Sequence, residues 1–177
     1  MFRLAATRFT DATWSENKNY RQTHEIPSIY GVDVPIRNTY NIGEWIFVFE
    51  MNNTTNQIEG IGLIQNSLAT STHKIYANYQ HNFYVYRGCL WVSKQYIQLF
   101  DPHIIEMANT ILFKGKSHLK RLNGISIITE KIFRHWKPIT LFKLKRRVYK
   151  LYLSVYEKTY HRSSSANNNI KKSYITL

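Results

Sequence analysis

The 177-residue chain has one cysteine, four prolines and seven glycines, and its 11 acidic residues are few beside 24 Lys and Arg. A single cysteine, Cys89, excludes an intramolecular disulfide and the usual cysteine-based zinc sites. No run approaches 18 consecutive apolar residues, so the sequence predicts neither a transmembrane span nor a signal peptide. We therefore expect an intracellular protein of a reducing compartment, the cytoplasm or nucleus.

Motifs of catalysis are also missing. The seven histidines include no His-x3-His pair and no His-Glu-x-x-His, and the chain has no Gly-x-Ser-x-Gly elbow. The acidic residues are too spread out to suggest the metal-binding carboxylate cluster of a nuclease. Cys89, between Gly88 and Leu90, is typical of a small buried apolar residue rather than a nucleophile. We expect no enzyme activity, no metal site and no cofactor.

What the chain has is charge at one end. Residues 1–112 hold eight Lys and Arg against nine Asp and Glu, whereas residues 113–177 hold sixteen against two. A near-neutral body is thus followed by a strongly basic last third. Such an asymmetry indicates a polyanionic partner, either a nucleic acid or an anionic membrane surface.

Strand signals dominate the body. Segments 1–9, 44–51, 57–64 and 83–92 are dense in β-branched and aromatic residues, and the middle two form a hairpin across the polar run 52–56. Gly60 and Gly62 fall on one face of the second hairpin strand, where either close packing or an approaching ligand would use the missing side chains. A last short strand is predicted at 125–128.

Helix signals separate these strands. Thr10 and Asp11 offer caps for a helix that ends near Arg21, and Asp101 followed by Pro102 starts a second one that runs to residue 110. A short helix is predicted from 129 to about 136. Residues 22–41 contain two prolines and a glycine without helical period, which predicts an extended surface loop.

The order of these elements resembles the EVE and YTH branch of the PUA-like domains. The resemblance rests on Gly43 and Glu44 before the first hairpin strand, on the Gly60-x-Gly62 motif and on a closing segment, 124–133. It covers about residues 1–136 and implies an α+β fold: a twisted, partly closed β-barrel with flanking helices. The hairpin is also similar to proteins of large DNA viruses.

The resemblance further implies a module that reads nucleic acid, often by holding one modified base in an aromatic pocket, where stacking contributes about 1–3 kcal/mol per base. The family places pocket residues after the first strand, which corresponds here to Trp14 and Asn17. Trp45 and Trp91 are further candidates for the aromatic walls of such a pocket. Each of them can equally be a core residue of an apolar strand.

The basic third contains two candidate phosphate-binding segments. The first is the loop 114–121, in which we single out Lys114, Lys116, Ser117, His118, Lys120 and Arg121. It is not a P-loop, because Thr110 stands where the first glycine is required. The second is an amphipathic helix over 140–160 with the cations Lys143, Lys145, Arg146, Arg147 and Lys150.

Three uses of that helix stay open: docking on the body, pairing with a partner protein's helix, or lying on an anionic membrane, which is the least favoured. The sequence thus divides into a PUA-like domain (1–136), a basic amphipathic helix (137–162) and a flexible polar tail (163–177). The leading hypothesis is a nucleic-acid-binding module, with DNA or RNA as partner. The alternative is a structural or assembly protein, packaged in a virion.

Overall fold

A curled six-stranded mixed β-sheet forms the centre of an α+β fold. The computed structural model describes residues 2–121, 123–136 and 138–166, with side chains up to residue 158. The elements, in chain order, are β1 (Phe2–Phe9), α1 (Asp11–Thr23), β2 (Ser28–Val32), β3 (Trp45–Asn52), β4 (Gln57–Gln65), a 3-10 helix (Tyr79–Asn82), β5 (Tyr84–Ser93), α2 (Lys94–Phe100), α3 (Pro102–Phe113), β6 (Ser126–Ile127), α4 (Glu130–Phe133) and α5 (Leu141–Ala166).

The strands lie in the order β2-β5-β4-β3-β1-β6. The predicted hairpin is confirmed: β3 and β4 pair antiparallel, with a register shift at Glu50 and Met51. Among the strand pairs of the described residues, β1 and β3 alone run parallel, and α1 lies between them in the chain. The sheet therefore places the C-terminal end of β1 beside that of β3, and the chain enters α1 from there.

The two faces of the sheet are both buried, since alternate residues of its strands join separate core clusters. Leu4, Phe47 and Phe49 pack on one face against α2, α3, α4 and α5. Ala5 and Val48 belong to the opposite face, which the residues after α1 and the segment before β5 cover. This explains why the central strands are almost continuously apolar rather than alternating.

Two predictions were wrong. Cys89, expected to be a small buried residue, is exposed on β5. Residues 22–41 do not form a surface loop throughout, because Ser28–Val32 is strand β2, whose five residues are all buried. It pairs antiparallel with β5, from Ser28 opposite Gly88 to Val32 opposite Tyr84. This pairing is between residues more than fifty positions apart, so the local sequence around two prolines does not reveal it.

Helix caps follow the sequence closely. Thr10 and Thr13 form a reciprocal capping box at the start of α1, and the Asp101 side chain accepts from the His103 N–H with Pro102 at the first position of α3. Helix α2, which the sequence does not predict, begins directly after β5 with Ser93 as cap. Helix α3 ends at Phe113, three residues beyond the predicted end.

Helix α5 lies on the body through one face, with Leu144, Val148, Leu151 and Tyr152 buried in the larger core. Its backbone continues to Ala166, and most of the predicted tail, residues 163–177, lies outside the described residues. Over the ranges that the structure describes, none of the helices combines the length and the apolarity needed to cross a membrane.

Candidate nucleic-acid interface

A pocket of about 290 Å³ opens at the C-terminal end of β1. Five parts of the chain build its wall: the end of β1 with the start of α1, the end of β2, the hairpin turn at Asn53, the segment with Tyr76 and His81, and residues 123–124. Aromatic rings come from Phe9, Tyr76 and His81, and polar groups from Arg8, Asp33, Asn53 and Asn123. The pocket thus combines flat apolar surface with several hydrogen-bonding groups, as small-ligand sites do.

The basic loop 114–121 is tied to the rim of this pocket. The Lys120 carbonyl accepts from Arg8 Nη1 (3.2 Å) and from Asn53 Nδ2 (2.9 Å). Arg8 also donates through Nη2 to Asn123 Oδ1 at 2.9 Å. Since these three partners line the pocket, the loop is held next to it by side chains of the body.

Within the loop, the cations point outwards. Lys114, Lys116 and Arg121 are exposed, while Ser117, His118 and Lys120 are half-buried. Leu119 is buried and anchors the loop, and its N–H donates to the Leu112 carbonyl at 2.8 Å. Gly115 has φ +74 and lies against Trp136, so the sharp turn after Lys114 needs a glycine. The result is an anchored loop with exposed ammonium and guanidinium groups.

Trp14 and Trp91 do converge, but they already enclose a cation. Their ring centroids are 6.3 Å apart, and the Arg21 guanidinium lies 5.2 Å from the Trp14 ring and 4.3 Å from the Trp91 ring. Arg21 is only 6 % exposed and donates to the Pro27 carbonyl. Desolvated cation–π contacts of this kind contribute about 2 kcal/mol. The space between the tryptophans is therefore occupied by the protein itself.

Beneath Arg21 lies a buried carboxyl group. Glu50 is fully buried, and it accepts from Tyr30 Oη (2.7 Å) and from Trp91 Nε1 (2.8 Å). Burial raises the pKa of Glu50, and the Arg21 cation opposes that shift. These contacts also show why β4 has glycines on one face. A Cβ on Gly62 would lie 2.0 Å from Tyr30 Oη, and one on Gly60 would lie 2.7 Å from Trp91 Nε1. The glycines make room for these two side chains.

The other two aromatic and polar candidates lie away from the pocket lining. Asn17 is fully buried, and its Nδ2 donates to the Ile29 carbonyl (2.7 Å) and to Tyr76 Oη (3.0 Å). It acts behind the pocket by holding Tyr76. Trp45 is the first residue of β3 and packs on the larger core, on the face of the sheet that α5 covers.

The basic residues of α5 lie near the opposite end of β1. Lys145 Nζ lies 5.0 Å from the Phe2 ring, and burial lowers the pKa of this ammonium group. Arg147 forms an ion pair with Asp101, whereas Lys143, Arg146 and Lys150 are exposed. Phe2 and Phe9 are the first and last residues of β1, and at a rise of about 3.3 Å per residue the strand is about 23 Å long. The structure thus brings the loop, but not α5, to the pocket.

Arg8, Asp33, Asn53, His81 and Asn123 were not singled out from the sequence. They come from five separate segments, and the nearest signal was the polar hairpin turn that contains Asn53. Among the residues that the structure describes, no three His, Cys, Asp or Glu side chains gather in a way that could hold a metal ion.

Comparisons of the chain with models of protein families, with curated proteins and with solved structures find no significant match.

Proposed function

We propose that this chain is a nucleic-acid-binding module of PUA-like type that takes one base into the pocket at the end of β1. The observation that carries this proposal is the attachment of the basic loop 114–121 to the pocket rim, where Arg8 and Asn53 both donate to the Lys120 carbonyl and Arg8 is also hydrogen-bonded to Asn123. A nucleotide whose base enters the pocket would have its phosphate within reach of the loop cations.

The dimensions and chemistry of the pocket suit this ligand. Its volume of about 290 Å³ is at the lower end of the usual range for small-ligand sites, about 300–1,000 Å³, which fits a single base better than a larger molecule. Of the three lining rings, half-buried His81 is the accessible one, because Phe9 and Tyr76 are each only 4 % exposed. The carboxylate of half-buried Asp33 could meet a base edge. The curled mixed sheet, the helix after β1 and the glycines of β4 support the PUA-like relation.

Specificity and affinity would come from different parts of the molecule. The pocket selects a base, while the exposed cations of the loop neutralise phosphates whatever the sequence. Helix α5 lies against the opposite end of β1, so its exposed cations would contact the same strand only if that strand follows β1 along the body. Such a partner places the protein in a compartment that contains nucleic acid.

Salt dependence tests the proposal. Fluorescence anisotropy with a labelled single strand and with the corresponding duplex, between about 50 and 200 mM NaCl, should give a log Kd versus log salt slope of about 4 (single strand) or about 5 (duplex) in magnitude if about six phosphates are neutralised. The triple variant Lys114→Ala/Lys116→Ala/Arg121→Ala should reduce the magnitude for the duplex by about 3, since each phosphate contact of a duplex contributes about 0.9.

The matched control is Lys18→Ala/Arg37→Ala, which removes two exposed cations of the body and should leave the slope nearly unchanged. A slope near zero for the unaltered protein contradicts the proposal. So does an equal reduction in the control and in the loop variant, which would mean that only net charge matters.

The assembly-protein alternative has its own support, because α5 packs its apolar face on the body as a structural element would. It predicts stoichiometric co-purification with a particle and no retention of nucleic acid at physiological salt.

A further inference from the structure

Two large aromatic side chains stand exposed beside the pocket without a role in the core. Tyr79 is 66 % exposed and Phe83 is 56 % exposed. Their ring centroids are 5.4 Å apart and their planes are inclined by 71°. Together they form an open corner, here called the aromatic corner, with one ring as floor and the other as side wall.

The backbone below the corner is held rigidly. Asn82 Oδ1 accepts from the N–H groups of Ile75 (2.8 Å) and Tyr76 (3.0 Å), and its Nδ2 donates to the Tyr76 carbonyl (2.8 Å). Asn78 caps the 3-10 helix. A Cβ on Gly31 would lie 2.4 Å from the His81 carbonyl, so β2 and this helix are in close contact. The backbone that carries the two exposed rings is therefore held in place before any partner binds.

The corner adjoins the pocket. His81 lies between Tyr79 and Phe83 in the chain, lines the pocket and packs edge-on against Tyr76, with ring centroids 5.9 Å apart. A strand that left one base in the pocket would thus pass the corner with the next base. Two exposed cations, Lys74 and Arg87, lie on the chain on either side of this segment.

We infer that the aromatic corner stacks on an unpaired base that neighbours the base in the pocket, which makes the partner a single-stranded nucleic acid. This inference rests on the proposed function and adds the strand state of the ligand. Stacking needs a free base face, which a duplex hides, and it tolerates any base because every base has one. The exposed cations Lys74 and Arg87 on either side of the segment, and the place of His81 in the pocket lining, favour a polyanionic strand as the occupant of the corner.

The experiment uses the full chain and three labelled ligands: a mixed-sequence single strand of about 12 nucleotides, in DNA and RNA form, an abasic strand of equal length and a duplex. The variant Tyr79→Ala/Phe83→Ala should raise the Kd for the base-containing single strand about 5- to 150-fold. The abasic strand and the duplex should bind it as they bind the unaltered protein. Leu99→Ala, at an 87 % exposed site on α2, is the control and should change none of the three.

The possible outcomes separate the two proposals. Equal weakening on all three ligands, or no change with the single strand, overturns the aromatic corner as a base-stacking site and points to protein docking there. Salt-independent or absent binding of every ligand by the unaltered protein overturns the proposed function itself. Because both residues are exposed, we expect the melting temperature of the double variant to match that of Leu99→Ala, and this is checked first.

Discussion

At the scale of single residues, the Glu50 carboxyl is the centre of a polar cluster inside the core. It has no exposed surface, yet it is joined to Tyr30 and Trp91 by hydrogen bonds and faces the Arg21 cation. Buried ionisable groups are costly unless they are satisfied in this way. The cluster fixes the relative positions of α1, β2, β3 and β5, and so the wall behind the pocket.

A pH prediction follows for Glu50. Burial raises its pKa in the folded chain, so above the ordinary value of 4.5 the folded chain still holds a proton that the unfolded chain has released. The unfolding free energy contributed by this group therefore falls as pH rises from about 4.5 through the raised pKa. Glu50→Gln does not titrate and should lack that fall, as measured by urea unfolding across the pH range.

Glu157→Gln, at an exposed position of α5, serves as control and should follow the pH profile of the unaltered protein. A stability difference between the unaltered protein and Glu50→Gln that is constant with pH, or that grows in favour of the unaltered protein as pH rises, would contradict the prediction.

At the scale of elements, the sequence predicts the β3–β4 hairpin and the shared face of its glycines, but not which side chains pack against them. Spacing put Gly60 and Gly62 on one face, and either packing or ligand approach was compatible with that. In the structure the glycines serve packing, because the side chains of Tyr30 and Trp91 lie against Gly62 and Gly60. These two residues come from β2 and β5, and no local pattern connects them with β4.

The substitution Gly62→Ala tests this packing. Its Cβ would lie 2.0 Å from Tyr30 Oη and 2.9 Å from Ser28 Cβ, so overpacking should cost about 1–3 kcal/mol or more in urea unfolding. In the background of Tyr30→Phe the nearest clashing atom is gone, and the cost of Gly62→Ala should be smaller. Strict additivity of the two substitutions would show that Tyr30 is not the obstacle.

Strand β2 marks the limit of prediction from local sequence. Only five residues long, it lies between Pro27 and Pro35 and contains Gly31, which all favour a loop when read alone. Its extended state depends on pairing with β5 and on the close approach of the His81 carbonyl to Gly31. Since β2 ends at the pocket, missing it also hid the pocket residue Asp33.

At the scale of the whole molecule, the pocket and the excess positive charge lie in different parts of the chain. The near-neutral residues 1–112 contribute most of the pocket wall, while the exposed cations of 113–150 lie mainly on one anchored loop and one docked helix, with Lys131 and Arg134 in and after α4. Composition alone revealed the partition. It did not reveal that Arg8 and Asn53 connect the loop to the pocket, because those contacts join residues more than sixty positions apart.

Ligand binding should stabilise the whole fold if the pocket and the loop act together. The base-containing single strand at about 100 times its Kd should raise the unfolding free energy by about 2.7 kcal/mol, seen as a higher melting temperature in low salt. At about 1 M NaCl the same strand concentration should give almost no shift, because phosphate contacts weaken steeply with salt. An undiminished shift at high salt would mean that phosphates are not held by cations.

Strand β1 has a consequence for the synthesis of the chain. One of its edges pairs with β3, but on the other edge Ala5 and Ala6 pair with Ile127 and Ser126, about 120 residues later. At about 5–20 residues per second, a ribosome needs roughly 6–24 s to make that interval. During that time the outer edge of β1 has no partner from its own chain, and open strand edges invite pairing between chains. The hazard of aggregation is therefore greatest for the nascent chain, until β6 pairs with Ala5 and Ala6 in the middle of that edge.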